Sequence, residues 1–306
     1  RAMIDAALRQ RVKELEVRAL KLVSHRFMGE WASNMRGQGL EFRDLREYVP
    51  GDDIRRIDWK ATARSGRAQL RQFTEERQQH IWFALDRSAS MEGNKARLAG
   101  EILAVLGWAA VTQGDPFGLV TFTDSVEKTI LPARGEANLW AAVEAAVSGE
   151  PSSNRTDFAP LFRFFMNTAR ARSTLIILSD WSAPDLTSGL PAGASRSAGS
   201  AWASASRRLG ALALAHDVIA LRVRDPSVQG GYPAGLAPVV DPESGKRMWV
   251  DLSSKKNLEL LRTAEEKRTA ALNLSFRKAG VWSQTFDSGA DFVPPLMELF
   301  RRRDHA

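Results

Sequence analysis

The stretch LDRSASMEGNK, residues 85–95, follows the apolar run IWFA at 81–84 and precedes a long helical pattern. Asp86, Ser88 and Ser90 thus stand where a buried strand gives way to a loop. HIWFALD, residues 80–86, is apolar throughout its interior, the pattern of a strand covered on both faces. KARLAGEILAVLGWAAVTQG, residues 95–114, places Leu98, Ile102, Val105, Leu106 and Ala109 on one helical face and closes on Gly114.

The alternation of strand and helix continues outward. FGLVTFT (117–123) and VEKTILP (126–132) form a hairpin across Asp124 and Ser125. Helical patterns around 136–147 and 157–170 lead into STLIILSD (173–180), a strand that again ends in aspartate. HDVIALRV (216–223), a helix near 254–279, GVWSQTFD (280–287) and a helix near 292–302 complete the series. Strands joined through helices predict an α/β fold: a doubly wound, mostly parallel sheet flanked by helices, with one antiparallel hairpin.

Before this body, Ile4, Leu8, Val12, Leu15, Ala19 and Leu22 mark an amphipathic helix over 3–25. Residues 27–75 are rich in Gly, Arg and Asp and predict loops and short strands, the last around AQLRQFTE (68–75). The expected division is therefore 1–75, an N-terminal helix and a small loop/β segment, and 76–306, the α/β domain. Residues 182–206, dominated by Ser, Ala and Gly, predict a mobile loop running into the next helix. Residues 226–251 predict a hairpin around ESGK.

Composition narrows the chemistry. With 306 residues and 44% hydrophobic content the chain can bury a large core. No apolar run approaches the ~18 residues of a membrane helix, and a cytoplasmic location without a membrane span is expected. The absence of cysteine removes thiolate sites and disulfides, and the four histidines, His25, His80, His216 and His305, are scattered. The net charge is +7, yet acids and bases alternate in runs such as RDLREYVPGDDIRRIDWK (43–60), which suits an ion-paired surface better than a nucleic-acid stripe.

Ligands of open α/β sheets bind at the carboxyl ends of strands where the strand order reverses. Asp86 and Asp180 occupy such ends, and Thr156 in NRTDF (154–158) just precedes a helical run and so opens a loop on the same rim. Two carboxylates and three hydroxyls make an all-oxygen site suited to a hard divalent cation. The rival explanation is that the hydroxyls cap helices, with Ser90 or Thr156 able to do both. A metal-assisted phosphohydrolase with Asp86 as nucleophile is an alternative, but such chemistry wants a second acid two residues on, where Ser88 stands. A basic nucleic-acid-binding protein is a further alternative. No phosphate-binding loop is present.

DRSAS, RTDF and LSDW resemble the three parts of the metal-ion-dependent adhesion site of von Willebrand factor A-type domains. RGQGLEFRDLREYVPGDDIRRIDWKATAR (36–64) resembles the corresponding segment of the bacterial domain of unknown function 58 proteins. The resemblance implies a von Willebrand factor A-like fold with Asp86, Ser88, Ser90, Thr156 and Asp180 as metal-site residues for Mg2+ (or Mn2+ or Ca2+). It also implies a non-enzymatic protein-interaction module working with a MoxR-type AAA+ ATPase in protein maturation or remodelling, the partner offering an acidic residue to the ion.

Within the family-specific segment, Pro50 and Gly51 mark a turn, and Asp52 and Asp53 are candidate caps of a short helix. Arg55, Arg56 and Asp58 can pair with Arg46 and Glu47, while Tyr48 and Trp59 supply apolar anchors. These features suit either a polar network or a docking surface formed by Arg46, Glu47, Tyr48, Asp52, Asp53, Arg55, Asp58 and Trp59. Trp82, Trp108 and Trp140 fall in core patterns. Trp181, next to Asp180, is expected to lie partly exposed beside the rim as a partner contact.

Overall fold

A computed structural model describes residues 28–29, 31, 40–49, 52, 57–75, 80–148, 150–169, 172–182, 197–226, 236–240, 247–251 and 254–304. The expected helix over 3–25 lies outside the described residues. The chain forms two compact units, residues 35–79, and residues 1–34 together with 80–306. The sequence-based boundary at 75/76 falls close to the far edge of the smaller unit. Trp31 belongs with the larger one, where it is fully buried and meets Phe300 edge-on at 5.8 Å.

In the smaller unit, β1 (Leu40–Glu47) pairs antiparallel with β2 (Gln69–Glu75), and α1 (Trp59–Ser65) lies between them in sequence. Asp58 caps α1 by accepting from the amides of Lys60 and Ala61, both at 3.0 Å. Gly66 closes the helix at φ 72°, a conformation that glycine adopts without strain.

The larger unit runs β3 (Ile81–Asp86), α2 (Asn94–Gln113), β4 (Phe117–Phe122), β5 (Val126–Ala133), α3 (Glu136–Val147), α4 (Phe158–Thr168) and β6 (Thr174–Ser179). It continues through α5 (Ser197–Ala215), β7 (Asp217–Arg224), β8 (Leu236–Val240), β9 (Arg247–Asp251), α6 (Lys255–Lys278), β10 (Trp282–Asp287) and α7 (Val293–Asp304). Six strands form one sheet in the order β10-β7-β6-β3-β4-β5. All neighbours are parallel except β4 and β5, the expected hairpin. Every residue of β3, β4 and β6 is buried, as their continuous apolar runs require. Gly118 lets β4 and β5 close on each other, since a Cβ there would lie 2.5 Å from the Ile130 carbonyl oxygen. β8 and β9 form a separate antiparallel hairpin.

One face of the sheet, including Trp82, Ala84, Val120, Phe122, Leu175 and Ile177, is covered by Phe158, Leu161, Phe162 and Phe165 of α4, Leu209 and Leu212 of α5, and Leu272 and Phe276 of α6. Strand alternation turns Phe83 and Leu119 to the opposite layer, where α2 packs with α3. The result is a mixed α/β unit with a mostly parallel central sheet between helices.

α5 begins at Ser197, where the Ser/Ala/Gly stretch runs into the helix, in keeping with the helix propensity of its alanines; residues 183–196 of the expected loop lie outside the described residues. One expectation changes. Trp108 and Trp140 are only half-buried; they pack on each other at 6.3 Å from neighbouring helices instead of entering the core. Trp82 is buried as expected. Among the described residues no helix is long and apolar enough to cross a membrane.

Candidate functional site

β6 and β4 flank β3, so the chain leaves β3 toward one side and later returns on the other. The carboxyl ends of β3 and β6 are therefore the switch point of the sheet. Asp86 is the last residue of β3 and Asp180 the first after β6. Ser88 and Ser90 flank the start of a single 3-10 turn, Ala89–Met91, and the amide of Ala89 bonds the Asn154 carbonyl at 3.2 Å, which ties this loop to the one that carries Thr156.

All five rim residues are buried, with Asp86 2% and Asp180 4% exposed. The Ser88 amide donates to Asp86 Oδ1 at 2.9 Å, and Thr156 Oγ1 donates to Asp86 Oδ2 at 3.4 Å. Ser88 Oγ and Ser90 Oγ lie 3.1 Å apart, and Ser90 Oγ donates to Asp180 Oδ1 at 3.2 Å. The sequence-predicted residues thus form one connected group. Capping does not account for the hydroxyls. Asp157, not Thr156, caps α4 through the Ala159 amide at 2.8 Å, and Ser88 makes no capping bond with its side chain.

Three further elements complete the rim, none of them anticipated from sequence. Ser179 Oγ donates to Asp86 Oδ2 at 2.6 Å and accepts from the Trp181 amide at 2.9 Å. Lys95 Nζ meets Asp180 Oδ2 at 2.5 Å from the first turn of α2. Arg222 Nε donates to the Asp180 carbonyl at 3.2 Å, while Arg268 Nη2 donates to the Trp181 carbonyl and to Ser182 Oγ, both at 2.8 Å. Glu265 joins the two arginines, at 2.6 Å from Arg222 and 3.7 Å from Arg268. Ser179 was detectable as a polar residue ending an otherwise apolar strand. Lys95 was detectable as a cation in a helix's first turn, where the macrodipole disfavours it. The arginines carried no local signal.

Burial first, and the nearby Asp180 charge second, push the Asp86 carboxyl up to about 7, against the opposing hydrogen bonds from Ser179 and Ser88. A cation between the two aspartates fits this arrangement, because it offsets the mutual repulsion of two buried carboxylates. Among the described residues no three His, Cys, Asp or Glu side chains gather as a metal-ligating group. The rim's donor set is instead two carboxylates with hydroxyls, a hard-oxygen set.

Trp181 corrects the sequence reading. It is fully buried, not exposed beside the rim: with its backbone at φ 56°, its side chain lies in the core cluster that holds Leu175 and Ile177 of β6. There it stacks on Phe158 at 4.5 Å and meets Phe276 edge-on at 4.7 Å. A residue so enclosed offers no contact surface to a partner.

In the smaller unit the pairings differ from those expected. Arg46 forks onto Asp52 at 2.7 and 2.6 Å, and Asp52 also accepts from the Val49 amide at 3.0 Å. Arg46 holds the Asp52 carboxyl below the usual range, helped by that amide. Glu47 pairs with Arg67 at 2.7 Å, and Asp58, not Asp52, caps the helix. The Tyr48 amide bonds the Ala68 carbonyl at 2.8 Å. Trp59 is 70% exposed and so anchors nothing within its own unit. Asp53 and Arg55 lie outside the described residues.

The chain is similar to several known proteins. A family model described as "Protein of unknown function DUF58" matches residues 44–271. Uncharacterized proteins of Mycobacterium tuberculosis and Mycobacterium bovis are each 28% identical over 249 residues, covering 79% of this chain and 73% of theirs. Among solved structures, a conserved hypothetical protein BatB from Bacteroides thetaiotaomicron is 15% identical with a TM-score of 0.41, over 74% of this chain and 100% of that one. An aerotolerance-related membrane protein from Bacteroides fragilis is 14% identical with a TM-score of 0.41, over 74% of this chain and 98% of that one.

Proposed function

The chain belongs to the DUF58 family, and from the chemistry of its rim we propose that it is a von Willebrand factor A-like, divalent-metal-dependent protein-interaction module without catalytic activity of its own. The observation that carries this reading is the pair of buried carboxylates, Asp86 and Asp180, linked at the sheet's switch point through the Ser88 amide on Asp86, the contact between the Ser88 and Ser90 hydroxyls, and the Ser90 hydroxyl on Asp180. Asp86, Ser88, Ser90, Thr156 and Asp180 would hold Mg2+, or Mn2+ or Ca2+, directly or through water. A divalent ion, when bound, would supply Lewis acidity toward an acidic side chain of a partner. The chain's own residues do the rest: the hydroxyls contribute neutral oxygens that leave the centre electrophilic, and the Ser179 bond fixes the angle of Asp86.

The partner proposed is a MoxR-type AAA+ ATPase, which would bring the nucleotide-driven work in protein maturation or remodelling. Immobilised chain should retain such an ATPase in Mg2+ and release it in a chelator, and a Ser88→Ala/Ser90→Ala variant should not retain it. Equal retention under all three conditions contradicts the metal-dependent reading.

A further inference from the structure

Lys95 stands in the first turn of α2, the end of a helix at which the backbone dipoles disfavour positive charge. Its ammonium nevertheless points into the rim and meets Asp180 Oδ2 at 2.5 Å, with only 20% of the lysine side chain and 5% of the aspartate side chain exposed. Asp180 receives the Ser90 hydroxyl and the Ser182 amide on its other oxygen, at 3.2 and 2.9 Å. One carboxylate oxygen is therefore held by neutral donors and the other by a cation on a flexible stem. A buried carboxylate beside a second one at Asp86 needs such compensation.

We propose that Lys95 is the tethered counter-cation of this rim: it neutralises Asp180 in the metal-free protein and leaves that oxygen when a divalent ion enters, so that Lys95 sets the affinity of the site. The proposal rests on the metal-binding reading above and adds that uptake is an exchange of one cation for another. Two cations cannot share the buried Asp180 oxygen without strong repulsion. The four-carbon lysine stem allows the ammonium to swing away without movement of α2. A cleft of about 660 Å³ adjoins this turn, where Arg97 pairs with Glu101 at 3.3 Å and Asn94 donates to Asp225 at 3.0 Å.

The test is calorimetric titration of wild type, Lys95→Met and Lys95→Arg with MgCl2 and MnCl2, with thermal melts of each metal-free protein. Exchange predicts that Lys95→Met binds either ion about tenfold tighter or more than wild type, a difference of about 1.4 kcal/mol, while Lys95→Arg does not gain. It predicts also that metal-free Lys95→Met melts below wild type and that Mg2+ raises its melting temperature more than that of wild type. If Lys95→Met is too unstable to titrate, Lys95→Gln takes its place. The melting effect of the lysine substitution should disappear in an Asp180→Asn background. Folded Lys95→Met that binds Mg2+ equally or more weakly than wild type overturns the exchange and leaves the metal reading standing. Binding by neither folded protein removes both.

Discussion

Ser179 Oγ donates to Asp86 Oδ2 across 2.6 Å, joining the last residue of β6 to the last residue of β3. The same oxygen accepts from the Trp181 amide, so one hydroxyl sets both the angle of a rim carboxylate and the turn that follows the other. Ser179→Ala leaves a buried carboxylate and a buried amide each short of that bond. Stability should fall by about 1–3 kcal/mol in urea denaturation, whereas a serine that is merely space-filling would cost little on replacement by alanine.

The raised carboxyl of Asp86 makes stability depend on pH. Its folded value is about 7 against an ordinary 3.8, so the folded protein holds a proton that the unfolded chain releases. The stabilising contribution of this group is complete below the unfolded value and is lost as pH rises toward about 7. Asp86→Asn should therefore gain on wild type as metal-free samples pass from pH 5 to pH 7, and the difference should level off above. A pH-independent difference in denaturation midpoint contradicts this. Metal binding, which needs the carboxylate, should strengthen by about tenfold between pH 6 and pH 8.

Trp181 is enclosed by Phe158 and Phe276, yet its indole Nε1 has no hydrogen-bond partner. Packing and not the polar atom is what the tryptophan contributes. Trp181→Ala should cost about 3–5 kcal/mol and Trp181→Phe clearly less, as read from urea midpoints. Equal losses in the two variants argue against a packing role.

Arg268 holds the Trp181 carbonyl and Ser182 Oγ from α6, 87 and 86 residues away in sequence. Arg268→Ala should loosen the backbone that positions Asp180 and weaken Mg2+ binding, with a smaller effect on folding. Unchanged metal affinity in a stable variant would dismiss this positioning role.

In the smaller unit, Asp58 caps α1 while Trp59 projects from it. Asp58→Ala should lower the unit's stability by about 1 kcal/mol. Trp59→Ala should stay within about 0.5 kcal/mol of wild type but weaken partner binding if this face docks the ATPase. Trp59→Ala with wild-type partner affinity removes Trp59 from the docking surface.

The sheet was legible where burial is complete. β3, β4 and β6 are apolar on both faces, and Asp86 at the end of β3 and Asp180 just after β6 stand at carboxyl ends, where ligands of such sheets bind. Thr156 followed from its place before a helix. Ser179 escaped because its role depends on β3 and β6 being neighbours, which the strand order decides and the local pattern does not. Trp181 was misplaced because it was read from its neighbour Asp180 at the rim, whereas its side chain joins Leu175 and Ile177 in the core. Lys95 left a trace in its conflict with the helix dipole, but its acceptor lies 85 residues away.

Asp86, Ser88, Ser90, Thr156 and Asp180 are proposed to form a divalent-metal site. Calorimetric titration of the purified chain with Mg2+ at pH 8 tests it most directly, beside a Ser88→Ala/Ser90→Ala variant confirmed as folded by circular dichroism. Saturable binding of one ion by wild type that is lost in the variant is the predicted result. Folded wild type without binding, or a variant that binds as well as wild type, would contradict the claim.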